Sequence, residues 1–516
     1  MHYHGSIMNN DSLRPGASGT SEARPGEMPL ENSYARLPAS FYSRVAPTPV
    51  ASPALIRLNR SLADHLGLDP DLLASPAGLE ILSGNRVPAS ARPLAQAYAG
   101  HQFGNWVPQL GDGRAVLLGE VVDRDGMRRD IQLKGAGPTP YSRIGDGRAS
   151  IGPVVREYLA SEHMAALGIA TTRALAAIAT GEHVFRERPE PGGILARVAS
   201  SHVRVGTFQY IASREGRDGV QILADYVIDR HYPGLADSAN PYLALLEAVS
   251  ERTADLVASW LMVGFIHGVM NTDNLSVAGE TLDYGPFGFV DFYDPGTVYS
   301  SIDAQGRYAY NRQPDIAQWN LARLAETLLP LIDENGDAAV EKAYSVLSGY
   351  ARRFETRYHE GLRRKIGLSV ARDGDAELAL ELLEIMGSSN ADMTLTFRRL
   401  SYLDGTDPRG DDPVRELFAQ PGAFDAWARK WRQRLAVENR GEAERRSAMC
   451  AVNPAYILRN HLAQRAVDAA VESLDFSPME RLLEVLSHPY DDQPGNGDYS
   501  LPPKPEERVL RTFCGT

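Results

Sequence analysis

Apolar and polar positions change rhythm along this chain. From Ala115 to Val122 apolar, largely β-branched residues follow one another, Asp123 to Gly126 has turn chemistry, and a second run from about Met127 to Leu133 leads into Lys134. That is the pattern of paired strands. A helix is predicted from Pro153, well suited to a first turn, to Leu167, with Gly168 as its stop. A further β-like segment covers Gly193 to Val198. Beyond about residue 220 the apolar spacing turns helical, near 242–264, 315–333, 338–364, 376–387 and 454–485, each stretch bounded by Pro, Gly or Asp. The pattern predicts an α+β protein of two lobes. A β-rich N-terminal lobe spans 31–215, a helical lobe spans 216–516, and a ligand cleft lies between them. Residues 1–30, rich in Gly, Ser, Pro and Asn without an apolar run, read as a disordered tail, and structure is expected to begin near Asn32.

Composition narrows the function. The chain has 516 residues, 43% hydrophobic and 23% charged, which suits one large two-lobed enzyme and excludes a mainly disordered protein. A net charge of −13 argues against a nucleic-acid partner. The longest apolar stretch, Ala254 to Met270, is interrupted by Asp255, Ser259 and His267, too short and too polar to span a bilayer, so no membrane partner is expected. Two cysteines, Cys450 and Cys514, cannot build a disulfide framework, and a reducing, cytoplasmic compartment is the expectation. Among 53 basic residues only five are lysines, and Lys134 is the sole one before position 342. An ammonium and a guanidinium are not interchangeable at a phosphate or in a tight buried pair, which singles Lys134 out.

Four features then follow in the order a phosphate-handling enzyme needs. Gly111-Asp-Gly-Arg114 precedes a strand; its glycines let backbone N–H groups approach phosphate and Arg114 adds a charged fork, although the same string serves as an ordinary turn. Lys134 ends the next strand, and Glu157 lies 23 residues on, upon the following helix, as in the strand-lysine and helix-glutamate pair of kinases. His267 to Asn274 follows a long helix, and Asp283-Tyr-Gly285 comes nine residues later. Kinase-like enzymes use His-(Arg/Gly)-Asp-x-x-x-x-Asn and then Asp-Phe-Gly. Asn274 and Asp283 are therefore the expected metal ligands, with Asp291 a rival to Asp283. The usual base position holds Val269, and a carboxylate stands four residues later at Asp273.

At these residues the sequence resembles the selenoprotein O family, kinase-fold proteins described as protein adenylyltransferases. The resemblance covers about residues 32 to 516 and is strongest over Tyr98 to Gly104, Gln132 to Arg143 and His267 to Gly285. It implies a two-lobed protein-kinase-like fold in which the nucleotide lies inverted, so that AMP is transferred. It assigns Gly111, Gly113, Arg114, Lys134, Asp146, Gly147, Arg197, Arg204 and Asp283 to the nucleotide, Asp273 to proton acceptance, Asn274 and Asp283 to the metal, and Glu157 to Lys134. The family often carries selenocysteine near its C-terminus, where Cys514 stands here, a possible redox handle.

The chemistry expected is in-line attack by a Ser, Thr or Tyr hydroxyl of a protein on the α-phosphorus of ATP, aided by Mg²⁺ or Mn²⁺, with pyrophosphate leaving. UMP transfer is a variant of the same step. Two alternatives remain open at this level: a metal-dependent phosphotransferase, and an inactive pseudokinase scaffold that only binds nucleotide.

Overall fold

The computed structural model describes residues 28–513. The expected tail therefore lies almost wholly outside the described residues. Met28 and Leu30 are already buried, so packing begins a few residues ahead of Asn32.

An eight-stranded antiparallel sheet dominates the N-terminal part. Its strands are β1 (Tyr42–Arg44), β2 (Ala54–Leu58), β3 (Leu94–Gln96), β6 (Ala115–Val122), β7 (Arg128–Lys134), β8 (Ala149–Ser150), β9 (Arg173–Phe185) and β10 (Pro189–Ala199). They run in the order β1-β3-β6-β7-β10-β9-β2, with β8 on β10. A separate hairpin, β4 (Gly100–Gln102) and β5 (Asn105–Val107), stands outside this sheet. The period of two along a strand divides the side chains between two cores. Val116 and Leu118 of β6 and Ile194 and Ala196 of β10 face three short helices, α1 (Arg60–His65), α2 (Pro70–Ala74) and α3 (Pro76–Leu82). Leu117 and Leu195 face the opposite way, toward α4 (Ile151–Ala166). Lys134 pairs with Leu195 and Gln132 with Arg197, so these polar side chains emerge on the α4 face.

Helices follow: α5 (Val205–His231), α6 (Pro241–Met262), α7 (Gln313–Ile332) and α8 (Gly336–Lys365). Tyr158 and Val155 of α4 share a core with Leu246, Val257 and Leu321 from α6 and α7, which joins the sheet-bearing part to the helices. Two elements escape the sequence pattern. Strand β9 is rich in alanine, a residue poor in β-propensity, because its centre is sandwiched on both faces: Ala174, Ala176 and Ala177 are fully buried. Helix α5 carries Gly216 at φ 61°, ψ −148°, a break between two helical arms. The single stretch expected over 454–485 divides into helices Asn460–Ser473 and Ser477–Leu486, separated where Leu474 turns left-handed at φ 54°. Among the described residues no helix is long and apolar enough to cross a membrane.

Candidate active site

The chemistry-bearing loops hang from one small ribbon. Helix α6 ends at Met262, Gly264 turns left-handed at φ 74°, and the chain enters β11 (Phe265–Ile266), which pairs with β12 (Gly288–Phe289). Everything between, residues 267–287, is one excursion that leaves and returns at the same place. His267 pins its two halves together: Nε2–H donates to the Leu282 carbonyl (2.9 Å) and Nδ1 accepts from the Val269 N–H (3.4 Å). Burial lowers the His267 pKa, consistent with a neutral ring in this structural role.

The excursion, the α4 face of the sheet and the loops 111–115 and 141–148 enclose a cleft of about 640 Å³. Gly111, Gly113, Arg114, Lys134, Asp146, Gly147, Glu157, Arg197, Arg204, Asp273, Asn274 and Asp283 all line it. Cys514 lies outside the described residues; its neighbour Phe513 lines the mouth.

At the centre, Asp283 collects three cations. Oδ1 accepts from Arg197 (2.6 Å) and Lys134 (3.3 Å), and Oδ2 from Arg204 (3.1 Å). Glu157 closes the ring, taking Lys134 on Oε2 (2.6 Å) and the Arg197 Nε–H on Oε1 (2.8 Å). Asp112, buried behind them, lies 3.9 Å from Arg204. Three cations thus face three carboxylates, a balance that lets Arg197 and Arg204 stay only 2% exposed. Burial acts to raise the Asp283 pKa, but Arg197, Lys134 and Arg204 outweigh it and hold the carboxyl well below its ordinary range. Glu157 is lowered by the same contest between burial and Arg197 with Lys134. Asp283 adopts φ 62°, a left-handed conformation that Asp and Asn tolerate better than most residues.

Asp273 is differently placed. It sits on the 3₁₀ turn Thr272–Asn274, and its carbonyl accepts from Arg204 (3.0 Å). Oδ2 accepts from Gln102 at 3.4 Å, while the buried Oδ1 has no hydrogen-bond partner among the described residues. Burial pushes its pKa up to about 6. A carboxylate so tuned is still mostly ionised at neutral pH and is a stronger base than an ordinary aspartate. Asn274 Nδ2 donates to the Val269 carbonyl (3.0 Å), so its amide oxygen is the end that can serve a cation. With Asp283 it supplies the oxygen donors that Mg²⁺ or Mn²⁺ prefers. The rival Asp291 does not line the cleft. It is held by Arg459 (2.8 Å), which Asp392 also grips (2.7 Å). Asp291→Asn is expected to cost about 1–3 kcal/mol in chemical denaturation and to leave the rate per folded molecule unchanged.

Sequence reasoning gave no role to the hairpin β4–β5, although it falls in the string Tyr98 to Gly104. It clamps the loop bearing Asp273: the His101 N–H donates to Thr272 Oγ1 (2.7 Å) and the Phe103 N–H to Asn271 Oδ1 (3.0 Å). A Cβ on Gly100 would stand 3.0 Å from Asp273 Cγ and closer still to Oδ1. Gly100→Ala should therefore displace the carboxylate and lower turnover about 10²-fold with ATP affinity retained; an unchanged turnover number would refute this role. The glycines of the 111–114 loop serve packing as well. Gly111 (φ 122°) lies beneath the Tyr141 ring, where a Cβ would collide, and the Gly113 carbonyl accepts from Ser142 Oγ. Asp146 is engaged by Arg186 (2.9 Å) and by the Arg148 N–H (2.9 Å).

A family profile described as protein adenylyltransferase SelO matches residues 27–487. The chain belongs to the SelO family. Relatives named protein nucleotidyltransferase YdiU include one from Alkalilimnicola ehrlichii, 63% identical over 488 residues, covering 95% of this chain and 99% of the relative. One from Rhodopseudomonas palustris strain BisB18 is 62% identical with the same coverage of both chains. One from Bradyrhizobium sp. strain ORS 278 is 61% identical over 489 residues, again 95% of this chain and 99% of the relative. The matched residues include every lining residue of the cleft named above except Phe513.

Proposed function

We propose that this protein transfers AMP from ATP to Ser, Thr or Tyr hydroxyls of proteins and releases pyrophosphate. The observation that carries the reading is Asp273 Oδ1, a buried carboxylate oxygen without a donor among the described residues, held beside the Lys134, Arg197, Arg204 and Asp283 cluster in one cleft. The family's description and the names of its relatives supply the reaction class. The Lys134–Glu157 pair between a strand and a helix, and the order His267, Asn274, Asp283, support a kinase-like arrangement of the two parts.

In this mechanism the acceptor hydroxyl donates to Asp273 Oδ1. Its oxygen forms a bond to the α-phosphorus as the bond to the pyrophosphate oxygen breaks, and Asp273 takes the proton. Such base assistance contributes roughly 10²- to 10⁴-fold. Lys134, Arg197 and Arg204 present positive charge to the phosphates from fixed positions, so little reorganisation accompanies the reaction. Asn274 and Asp283 would hold the divalent cation; when bound, it neutralises charge developing on the phosphate oxygens. Product analysis tests the proposal: pyrophosphate should appear in step with protein modification. Release of ADP instead would contradict it.

A further inference from the structure

The cations around Asp283 are each answered by a carboxylate, and two further arginines of the cleft are answered too, Arg186 by Asp146 (2.9 Å) and Arg148 by Glu182 (3.5 Å). Among the buried arginines of the cleft, Arg156 departs from this pattern. It directly precedes Glu157 on α4, is only 9% exposed, and lines the cleft beside Pro153 and Pro286. Its Nη2 donates to the Phe287 carbonyl (3.0 Å), and its guanidinium carbon lies 4.5 Å from the centre of the Phe287 ring. Nε has no partner, and the side chain makes no ion pair among the described residues. Burial, with no carboxylate to offset it, lowers its pKa to about 10, still high enough to keep the charge.

A buried charge without a counter-charge is costly, and a neutral amide would serve the Phe287 carbonyl equally well. What a guanidinium adds is a planar charged fork, the geometry that suits phosphate oxygens. We propose that Arg156 binds a phosphate group of the donor nucleotide, an inference that rests on the reading that a nucleotide occupies this cleft. Arg156 then adds a positive charge that no carboxylate of the described residues shares to those of Lys134, Arg197 and Arg204, each of which is shared with one.

The test is equilibrium binding of ATP, AMP and adenosine to the wild type, Arg156→Gln and Arg156→Lys. Glutamine retains a neutral N–H donor and removes both the charge and the guanidinium fork. Its ATP affinity should fall about 10- to 100-fold, the range for one charge-assisted hydrogen bond, with adenosine affinity unchanged. Lysine, with charge but no fork, should fall between. Equal losses for ATP and AMP assign the α-phosphate, and a loss for ATP alone assigns the β- or γ-phosphate. Unchanged ATP affinity in Arg156→Gln, or an equal loss for adenosine, would overturn the assignment. If Arg156→Gln does not fold, the same comparison on Arg156→Lys decides. A wild type that binds none of the three would instead sink the nucleotide reading itself.

Discussion

Asp283→Asn is expected to lower nucleotidyl transfer by about 10²- to 10³-fold, the usual effect of deleting one preorganised electrostatic group at a reacting phosphate. Asparagine is the informative choice. Alanine removes the carboxylate but also strains a backbone held at φ 62°, whereas asparagine accepts that conformation. The variant leaves Arg197 with Glu157 and leaves Arg204 with the Asp273 carbonyl and the more distant Asp112. Some stability is lost with the charge, about 2 kcal/mol by analogy with other partly buried pairs. The sign of its pH dependence follows from the depressed pKa of Asp283. The contribution is fully present above the unfolded value of about 3.9 and disappears as pH falls below it. Denaturation of both proteins at neutral pH and at the acid limit of folding measures this. An Asp283→Asn enzyme that retains wild-type turnover would remove Asp283 from the mechanism.

Lys134→Arg should lose most of its activity, about 10²-fold, a loss comparable to misplacing a reacting group by an ångström. The Lys134 ammonium fills the space between Glu157 Oε2 (2.6 Å) and Asp283 Oδ1 (3.3 Å) and is 12% exposed. The Arg197 guanidinium already occupies Glu157 Oε1 and the same Asp283 oxygen. A second planar fork would compete with Arg197 for the same pair of carboxylates, and its charge would be spread away from the point where the ammonium concentrates it. Steady-state rates and ATP affinity of the variant, measured together, separate lost chemistry from lost binding. Wild-type rates would return Lys134 to the status of an ordinary surface lysine.

Much of this site was legible because its parts are local signals. The rarity of lysine marked Lys134, and the spacing from His267 to Asp283 marked both loops. The strand period then put Lys134 and Arg197 on one face once their register was known. What the sequence hid depends on tertiary contact. Nothing local reveals that Gly100 must lack a side chain to make room for Asp273, or that Gln102 reaches its carboxylate, because 171 residues separate Gln102 from Asp273. Spacing alone leaves Asp291 as a rival to Asp283, and nothing local shows that Arg459 holds it from 168 residues away. Nothing in the sequence sets Arg156 apart from other helix arginines; that it makes no ion pair among the described residues emerges only from the tertiary contacts. Strand β9 was obscured for a similar reason, since alanine there answers to crowding on both faces rather than to backbone preference.

The central claim is that the group transferred is AMP, and labelled ATP tests it most directly. The protein is incubated with Mg²⁺ or Mn²⁺ and a protein acceptor, using ATP labelled at either the α- or the γ-phosphorus. The account predicts protein-bound α-label alone, its rate of appearance reduced about 10²- to 10³-fold in Asp283→Asn and sharply reduced when Asp273 is changed to Asn. Protein-bound γ-label without α-label would contradict it and make the protein a phosphotransferase.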